Sequence, residues 1–299
     1  MFFNVPSWNL GEPVVDAKKK GAKKTVKESQ PDAAPRPTNI PKRKEKVERE
    51  KSNPAKKSRS VEPVQHKIVE LPQTKGKSKE ESKLSGARFR FLNQKLYESS
   101  SNEALSYFRQ HPTDFAHYHV GFREQTKAWP VNPVDLFIDR LNKRLNNEKL
   151  LIADLGCGEA KIAETLHKRA VVHSFDLAAV SEFVTVASMT DVPLEDSSVD
   201  VVIFCLSLMN TDYTAALAEA NRILRANGEL WISEVASRFD GKHGLDEFVK
   251  SLQTAGFSTF ERDTSNAVFI SLYAKKHSKA KIDAKRLKPI LKPCLYKKR

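Results

Sequence analysis

The sequence predicts an α/β domain on a mostly parallel sheet, preceded by helices and flanked by basic ends. Three observations carry this. From Leu150 onward short apolar runs alternate with helical stretches. Alternating β and α segments require right-handed crossovers and hence a mostly parallel sheet. The first run, Leu150-Leu151-Ile152-Ala153, leads into Asp154-Leu155-Gly156-Cys157-Gly158, and the second, Val171-Val172-His173-Ser174-Phe175, ends on the acid Asp176.

Taken in order, residues 1–84 mix Lys, Pro, Ser and Glu with few large apolar side chains. Such a stretch cannot bury enough surface to offset chain entropy, so a disordered basic arm is expected. Met1-Phe2-Phe3 begins an aromatic cluster ending at Trp8, either a small docking motif or a chance grouping, and Lys42-Arg43-Lys44 and Lys56-Lys57-Ser58-Arg59 suit import receptors. Residues 85–147 read as a helical lead-in. Phe89, Leu92, Leu96 and Tyr97 recur at helical spacing, then Ala104, Leu105, Tyr107 and Phe108. Thr113 or Asp114 is suited to cap a third helix, and Pro133 to open a fourth after the break at Trp129-Pro130.

The α/β domain occupies residues 148–275. Its strands are expected at Leu150–Leu155, Ala170–Phe175, Phe183–Val186, Val199–Cys205 and Glu229–Val235. Asn227-Gly228 reads as the stop of the helix before the fifth. Phe257–Glu261 and Val268–Ala274 suit a closing antiparallel pair, and residues 276–299 read as a basic C-terminal tail.

Charge is unevenly spread. The chain of 299 residues carries a formal net charge of +14. Residues 1–84 contribute +10 and residues 275–299 another +10, which leaves −6 on the middle. Basic ends of this kind neutralise phosphates and release counterions, the signature of nucleic-acid contact, though they also serve solubility or import. The three cysteines, Cys157, Cys205 and Cys294, form no C-x-x-C pair and have no zinc-like spacing with histidine. No metal is expected, and no apolar run is long enough to span a membrane.

The turn after the first strand sets the chemistry. Glycines there let a ligand lie against the backbone at the strand's carboxyl end, and Asp176 is spaced to grip ribose hydroxyls. A dinucleotide site would carry a third glycine, G-x-G-x-x-G, where this chain has Lys161 preceded by Glu159 and Ala160. An acid at the helix start repels a pyrophosphate and tolerates a cation. S-adenosylmethionine fits, having sulfonium, ammonium, ribose and adenine but no phosphate. Ser188-Met189 follows the third strand. Met189 is placed to pack on adenine or simply in the core, and Cys205 to face the sulfonium or to be an inert thiol.

Several strings in order resemble one family. They include Gly86-Ala87-Arg88-Phe89-Arg90-Phe91-Leu92-Asn93, Tyr118-His119-Val120-Gly121-Phe122, Asp154-Leu155-Gly156-Cys157-Gly158, Phe175-Asp176-Leu177-Ala178 and Ser237-Arg238-Phe239. The text from Leu84 to Ala274 is similar to the ribosomal RNA-processing protein 8 family, also called nucleomethylin or cerebral protein 1. The resemblance implies a Rossmann-like class I S-adenosylmethionine-dependent methyltransferase fold with a seven-stranded sheet. It implies a nucleolar enzyme forming N1-methyladenosine in large-subunit ribosomal RNA within the pre-ribosome. It also implies, for animal members, rDNA silencing on histone H3 chromatin with a sirtuin deacetylase and an H3 lysine-9 methyltransferase. Cofactor contacts implied are His119, Gly156, Gly158, Asp176, Met189 and Cys205. Ser188 stands where the family has an aspartate, and a hydroxyl accepts from the adenine amino group without charge assistance. For the RNA, Arg123 and Arg238 are candidate phosphate contacts or solvated arginines, and Asn210 and Tyr213 candidates for facing the base. No catalytic residue is named, because adenine N1 already offers a lone pair at neutral pH.

Overall fold

The computed structural model describes residues 68–72, 79–239, 241, 243–277 and 282–295. The expected aromatic docking motif and both import motifs lie outside the described residues. Four helices come first: α1 (Lys79–Glu98), α2 (Ser101–Gln110), α3 (Pro112–Thr126) and α4 (Pro133–Arg144). The first begins six residues before the expected boundary at residue 85. Ser100 caps α2 through a reciprocal capping box with Glu103. Asn132 caps α4, with Pro133 at its first turn as anticipated. Neither Thr113 nor Asp114 caps α3; Asp114 instead accepts from the Tyr107 hydroxyl (2.6 Å) and from Arg88.

Seven strands follow: β1 (Leu151–Leu155), β2 (Val171–Asp176), β3 (Val184–Val186), β4 (Val199–Cys205), β5 (Leu224–Val235), β6 (Phe257–Asp263) and β7 (Phe269–Lys276). Helix α5 (Lys161–Leu166) links β1 to β2, α6 (Tyr213–Ile223) links β4 to β5, and α7 (Gly244–Thr254) precedes β6. The sheet order is β3-β2-β1-β4-β5-β7-β6. Strands β1 to β5 pair in parallel, and β7 runs antiparallel between β5 and β6. This is the Rossmann-like class I methyltransferase arrangement. Strand order reverses between β1 and β4, which opens a crevice at their carboxyl ends.

Period-two alternation splits the core cleanly. Ala153, Val202, Phe204, Leu230 and Ile232 face one side, against α6 and α7. Ile152, Val201, Ile203 and Trp231 face the other, against Phe137 and Leu141 of α4 and Ile162 of α5. Each fully buried aliphatic side chain contributes about 1.5–3 kcal/mol. Helices α1 to α3 form a separate cluster through Phe89, Leu92, Phe108 and Phe115, which sits on Leu177 and Ala178 directly after β2. The helical lead-in therefore roofs the crevice. Helices α1 and α3 approach so closely that a Cβ on Gly121 would lie 2.6 Å from the Phe89 ring.

Two expectations need correction. Asn227-Gly228 does not end a helix: α6 stops at Ile223, and Leu224–Val235 is one strand with a register shift against β4 between Val199 and Val201. Asn227 takes the left-handed conformation (φ 63°) inside that irregularity, a conformation that suits asparagine wherever it falls. Residues 282–295 are not a loose tail. Leu287 and Leu291 are buried in the main core, so this segment is a strap across the sheet's helical face. Among the described residues no helix is long and apolar enough to cross a membrane.

Candidate active site

The crevice between β1 and β4 is a cavity of about 1110 Å³, counting the part open to solvent. Its floor is the turn after β1. Gly156 (φ +77°) and Gly158 (φ +61°) occupy the left-handed region, which side chains disfavour. A Cβ on Gly156 would lie 2.3 Å from the Ser207 side chain, and one on Gly158 would meet the His119 ring at 3.3 Å. Ser207 closes the contact by donating from Oγ to the Leu155 carbonyl at 2.6 Å. The turns after β1 and β4 thus press together where the strand order reverses.

Two carboxylates enter this space. Asp176 ends β2, and its Oδ2 accepts from the Gly158 N–H (2.6 Å) and its Oδ1 from the Leu177 N–H (2.7 Å). Burial nevertheless pushes its carboxyl up to about 6, against those two hydrogen bonds. Asp154 is only 2% exposed, and its Oδ1 has no hydrogen-bond partner. Burial, and then the charge of Asp176, push it up to about 7. Cations at the mouth are already matched by acids: Arg123 Nε lies 3.1 Å from Glu159, and Lys161 Nζ 2.5 Å from Asp135. The uncompensated charge inside is therefore negative.

Helix α3 supplies the roof. His119 is buried among Phe115, Tyr118 and Gly158, with Nε2 unpartnered. Burial, aided by Arg123, pushes its imidazole down to about 3, so it is neutral at physiological pH. Cys205 ends β4, and burial together with Asp154 and Glu234 pushes its thiol well above the ordinary value. It is a thiol, not a thiolate. Leu206 follows with a left-handed backbone (φ 58°), uncommon for a branched side chain, held by its N–H on the Ser233 carbonyl.

The structure brings His119, Arg123, Gly156, Gly158, Asp176, Met189, Cys205 and Asn210 onto one cavity wall. It does not bring the others. Ser188 is buried outside that wall, and its hydroxyl is engaged with Thr190 (2.7 Å), so the expected adenine contact is withdrawn. Arg238 is 1% exposed and paired with Glu234 at 2.8 Å, so it cannot grip RNA. The Tyr213 hydroxyl accepts from the Ile290 and Leu291 N–H groups, away from the cavity. Asn210 reaches the cavity, but its amide nitrogen is spent on the Leu96 and Ser99 carbonyls (3.1 and 3.3 Å). Sequence reasoning missed Asp154 as a site residue and Leu206 as a strained one. An acid interrupting an otherwise apolar buried strand was the available signal for Asp154; nothing local marked Leu206. Among the described residues no cluster of His, Cys, Asp and Glu can hold a metal.

The residues fit a cationic, phosphate-free nucleoside. A buried carboxyl with an orphaned oxygen, Asp154, beside the half-buried Asp176 favours positive charge, and the glycine floor leaves room for the ligand that any side chain would take. Comparison with known proteins agrees. A family model described as a hypothetical methyltransferase matches residues 75–299. The chain is 42% identical over 268 residues to the 25S rRNA (adenine(645)-N(1))-methyltransferase of Schizosaccharomyces pombe, covering 86% of this chain and 81% of that one. It is 44% identical to ribosomal RNA-processing protein 8 of Arabidopsis thaliana (73% and 76% covered). It is 36% identical to the Saccharomyces cerevisiae 25S rRNA (adenine(645)-N(1))-methyltransferase (73% and 70% covered). With fold, cavity and relatives in agreement, the chain belongs to the ribosomal RNA-processing protein 8 family of S-adenosylmethionine-dependent methyltransferases.

Proposed function

We propose that this protein methylates N1 of an unpaired adenine in large-subunit ribosomal RNA, in the nucleolus, during ribosome assembly. The observation that carries it is the anionic cavity on a glycine floor, in a chain whose relatives are named for that reaction. S-adenosylmethionine supplies a methyl group on a cationic sulfur, open to in-line displacement by a lone pair. In this reading Asp176 accepts the ribose hydroxyls, Gly156 and Gly158 admit the methionine part against the backbone, and Met189 packs on adenine. His119 closes the methionine end as a neutral donor or acceptor. Cys205 lines the reacting region as an inert thiol.

Adenine N1 carries a lone pair at neutral pH, so the protein has to orient and enclose rather than remove a proton. That agrees with a site whose His119 is held far below the ordinary histidine value and whose cysteine is held above. The product base is cationic, and Asp154 and Asp176 line the cavity that would receive it. N1 sits on the Watson–Crick edge, so the acceptor must be unpaired or flipped out. The test is transfer of labelled methyl to unmodified rRNA, mapped by primer extension. The wild type should create a stop at one adenine, and Asp176→Ala should not. Label entering histones in place of RNA defeats the reading.

A second role, scaffolding rDNA silencing on histone H3 chromatin with a sirtuin and an H3 lysine-9 methyltransferase, is supported by the sequence resemblance alone. If it holds, Asp176→Ala protein silences an rDNA reporter as well as wild type.

A further inference from the structure

The segment 282–295 is built unlike a solubility tail. Four of its apolar residues point inward: Leu287 and Leu291 are buried in the main core, and Ile282 and Ile290 pack against it, while Leu295 at its end is exposed. Its backbone is fastened at successive points along the molecule. The Lys288 carbonyl accepts from Ser251 of α7 (3.4 Å), and the Ile290 and Leu291 N–H groups donate to Tyr213 of α6 (2.5 and 3.0 Å). Arg238 and Lys292 exchange two bonds, Nε to carbonyl at 2.8 Å and N–H to carbonyl at 2.9 Å. Asn93 of α1 donates to the Cys294 carbonyl at 3.0 Å.

The outward face of the same segment is basic. Lys285, Arg286, Lys288 and Lys292 are exposed there, and the one acid, Asp283, lies 3.8 Å from Arg286, which leaves the segment's outward face with a net positive charge. The path also has a direction. Cys294 lines a small cavity with Glu234 and Trp129, and that cavity shares Tyr118, Phe122, Leu206 and Met209 with the large one. The strap therefore ends beside the active site.

The large cavity itself is a poor grip for phosphate. Its mouth cations are matched by Glu159 and Asp135, and its interior carries Asp154 and Asp176. A polyanion must be held somewhere else while one base enters. We propose that the strap is the docking track for the rRNA backbone, with Lys285, Arg286, Lys288 and Lys292 on successive phosphates leading toward the cavity. This deepens the rRNA reading above and rests on it. Charges on a backbone already fixed by core packing and hydrogen bonds lose less freedom on binding than charges on a free tail.

The test uses the full chain and a fluorescent, in-vitro-transcribed large-subunit rRNA fragment, titrated across a potassium chloride series. Lys285→Gln, Arg286→Gln and Lys288→Gln are combined. Single-stranded contacts contribute a log–log salt slope of about 0.7 per phosphate, so the triple variant should be shallower by roughly 2. Its Kd should rise more than about tenfold near 0.15 M salt, while S-adenosylhomocysteine binding by calorimetry stays unchanged. Lys285→Arg with Lys288→Arg should keep the wild-type slope. An unchanged slope and Kd in the triple variant overturn the track. If wild type then still methylates the fragment, the rRNA reading survives that failure. A wild type that binds an acidic polypeptide through the strap while its RNA affinity ignores the triple substitution also overturns it.

Discussion

At the residue scale the site turns on two carboxyls that share one cavity. Asp154 and Asp176 are pushed up to about 7 and about 6, chiefly by burial. A raised folded value means that, between about pH 4 and 7, the native state holds protons that the unfolded chain has lost. Stability then falls as pH rises through that window. Ligand-free protein should melt lower at pH 7.5 than at pH 5 by a margin that shrinks in Asp154→Asn, measured by scanning calorimetry. A cationic ligand reverses the preference and favours both charged forms. Cofactor binding should therefore release protons at pH 6 and none at pH 8, read from titrations in buffers of different ionisation enthalpy. Absence of release at pH 6 would mean the ligand's charges lie elsewhere. Gly156→Ala should abolish binding, since its Cβ would displace Ser207 and the backbone is left-handed. The place of Asp176 on the cavity was legible from spacing alone because an acid at a strand end is a sequence-local feature. Ser188 was not, because a hydroxyl's choice between Thr190 and a ligand is made by loop geometry.

At the element scale one buried pair organises the loops around the site. Glu234, near the end of β5, and Arg238, in the short 3-10 turn that follows it, are both 1% exposed and paired at 2.8 Å. Glu234 accepts the Leu208 N–H at 3.0 Å, and Arg238 donates to the Leu208 carbonyl at 2.7 Å. Between them they fix the loop after β4 that contains Leu206 and lines the cavity. Arg238→Ala strands a buried carboxylate and also removes one of the two bonds that tie the strap at Lys292. It should cost about 3–5 kcal/mol by urea unfolding, whereas Arg238→Ala with Glu234→Gln should recover part of that. Equal losses in the two variants would mean the pair does not act as a unit. In the sequence Arg238 reads as a loop arginine available to RNA, because burial of a charge depends on a partner chosen by the tertiary fold. The same limit explains residues 282–295. Lysine density reads as a tail, and although Leu287, Ile290 and Leu291 stand at helical spacing, Pro289 and Pro293 interrupt any helix there, so no continuous period betrays a core face. Strands β1 and β4, by contrast, were legible to within a residue, since each faces packed layers on both sides and is apolar apart from Asp154 and Asp200.

At the scale of the whole molecule the charge layout opposes itself: a middle of net −6 between two ends of +10 each. An acidic catalytic domain stabilises a sulfonium donor and a cationic product, and for the same reason it repels the RNA it must modify. The excess of positive charge at the two ends suits them to hold the backbone while the domain does chemistry on one base. Their contributions separate cleanly. Residues 1–67 carry 17 basic and 8 acidic side chains, a net of +9. The cut belongs before Ile68, because Val69 donates its N–H to the Ala179 carbonyl at 2.8 Å and packs against the cluster of helices α1 to α3. Removing residues 1–67 should leave the melting temperature and S-adenosylhomocysteine affinity unchanged. It should raise the Kd for an rRNA fragment and flatten its salt dependence, with kcat at saturating RNA preserved, because long-range charge governs capture and not the displacement step. A fall in kcat with an unchanged melting temperature would place part of the arm in the active site. Combining the truncation with the neutralised strap lowers the formal net charge from +14 to +2 and should weaken RNA retention further than either change alone, with cofactor binding unchanged, because long-range attraction to the phosphates is then nearly gone.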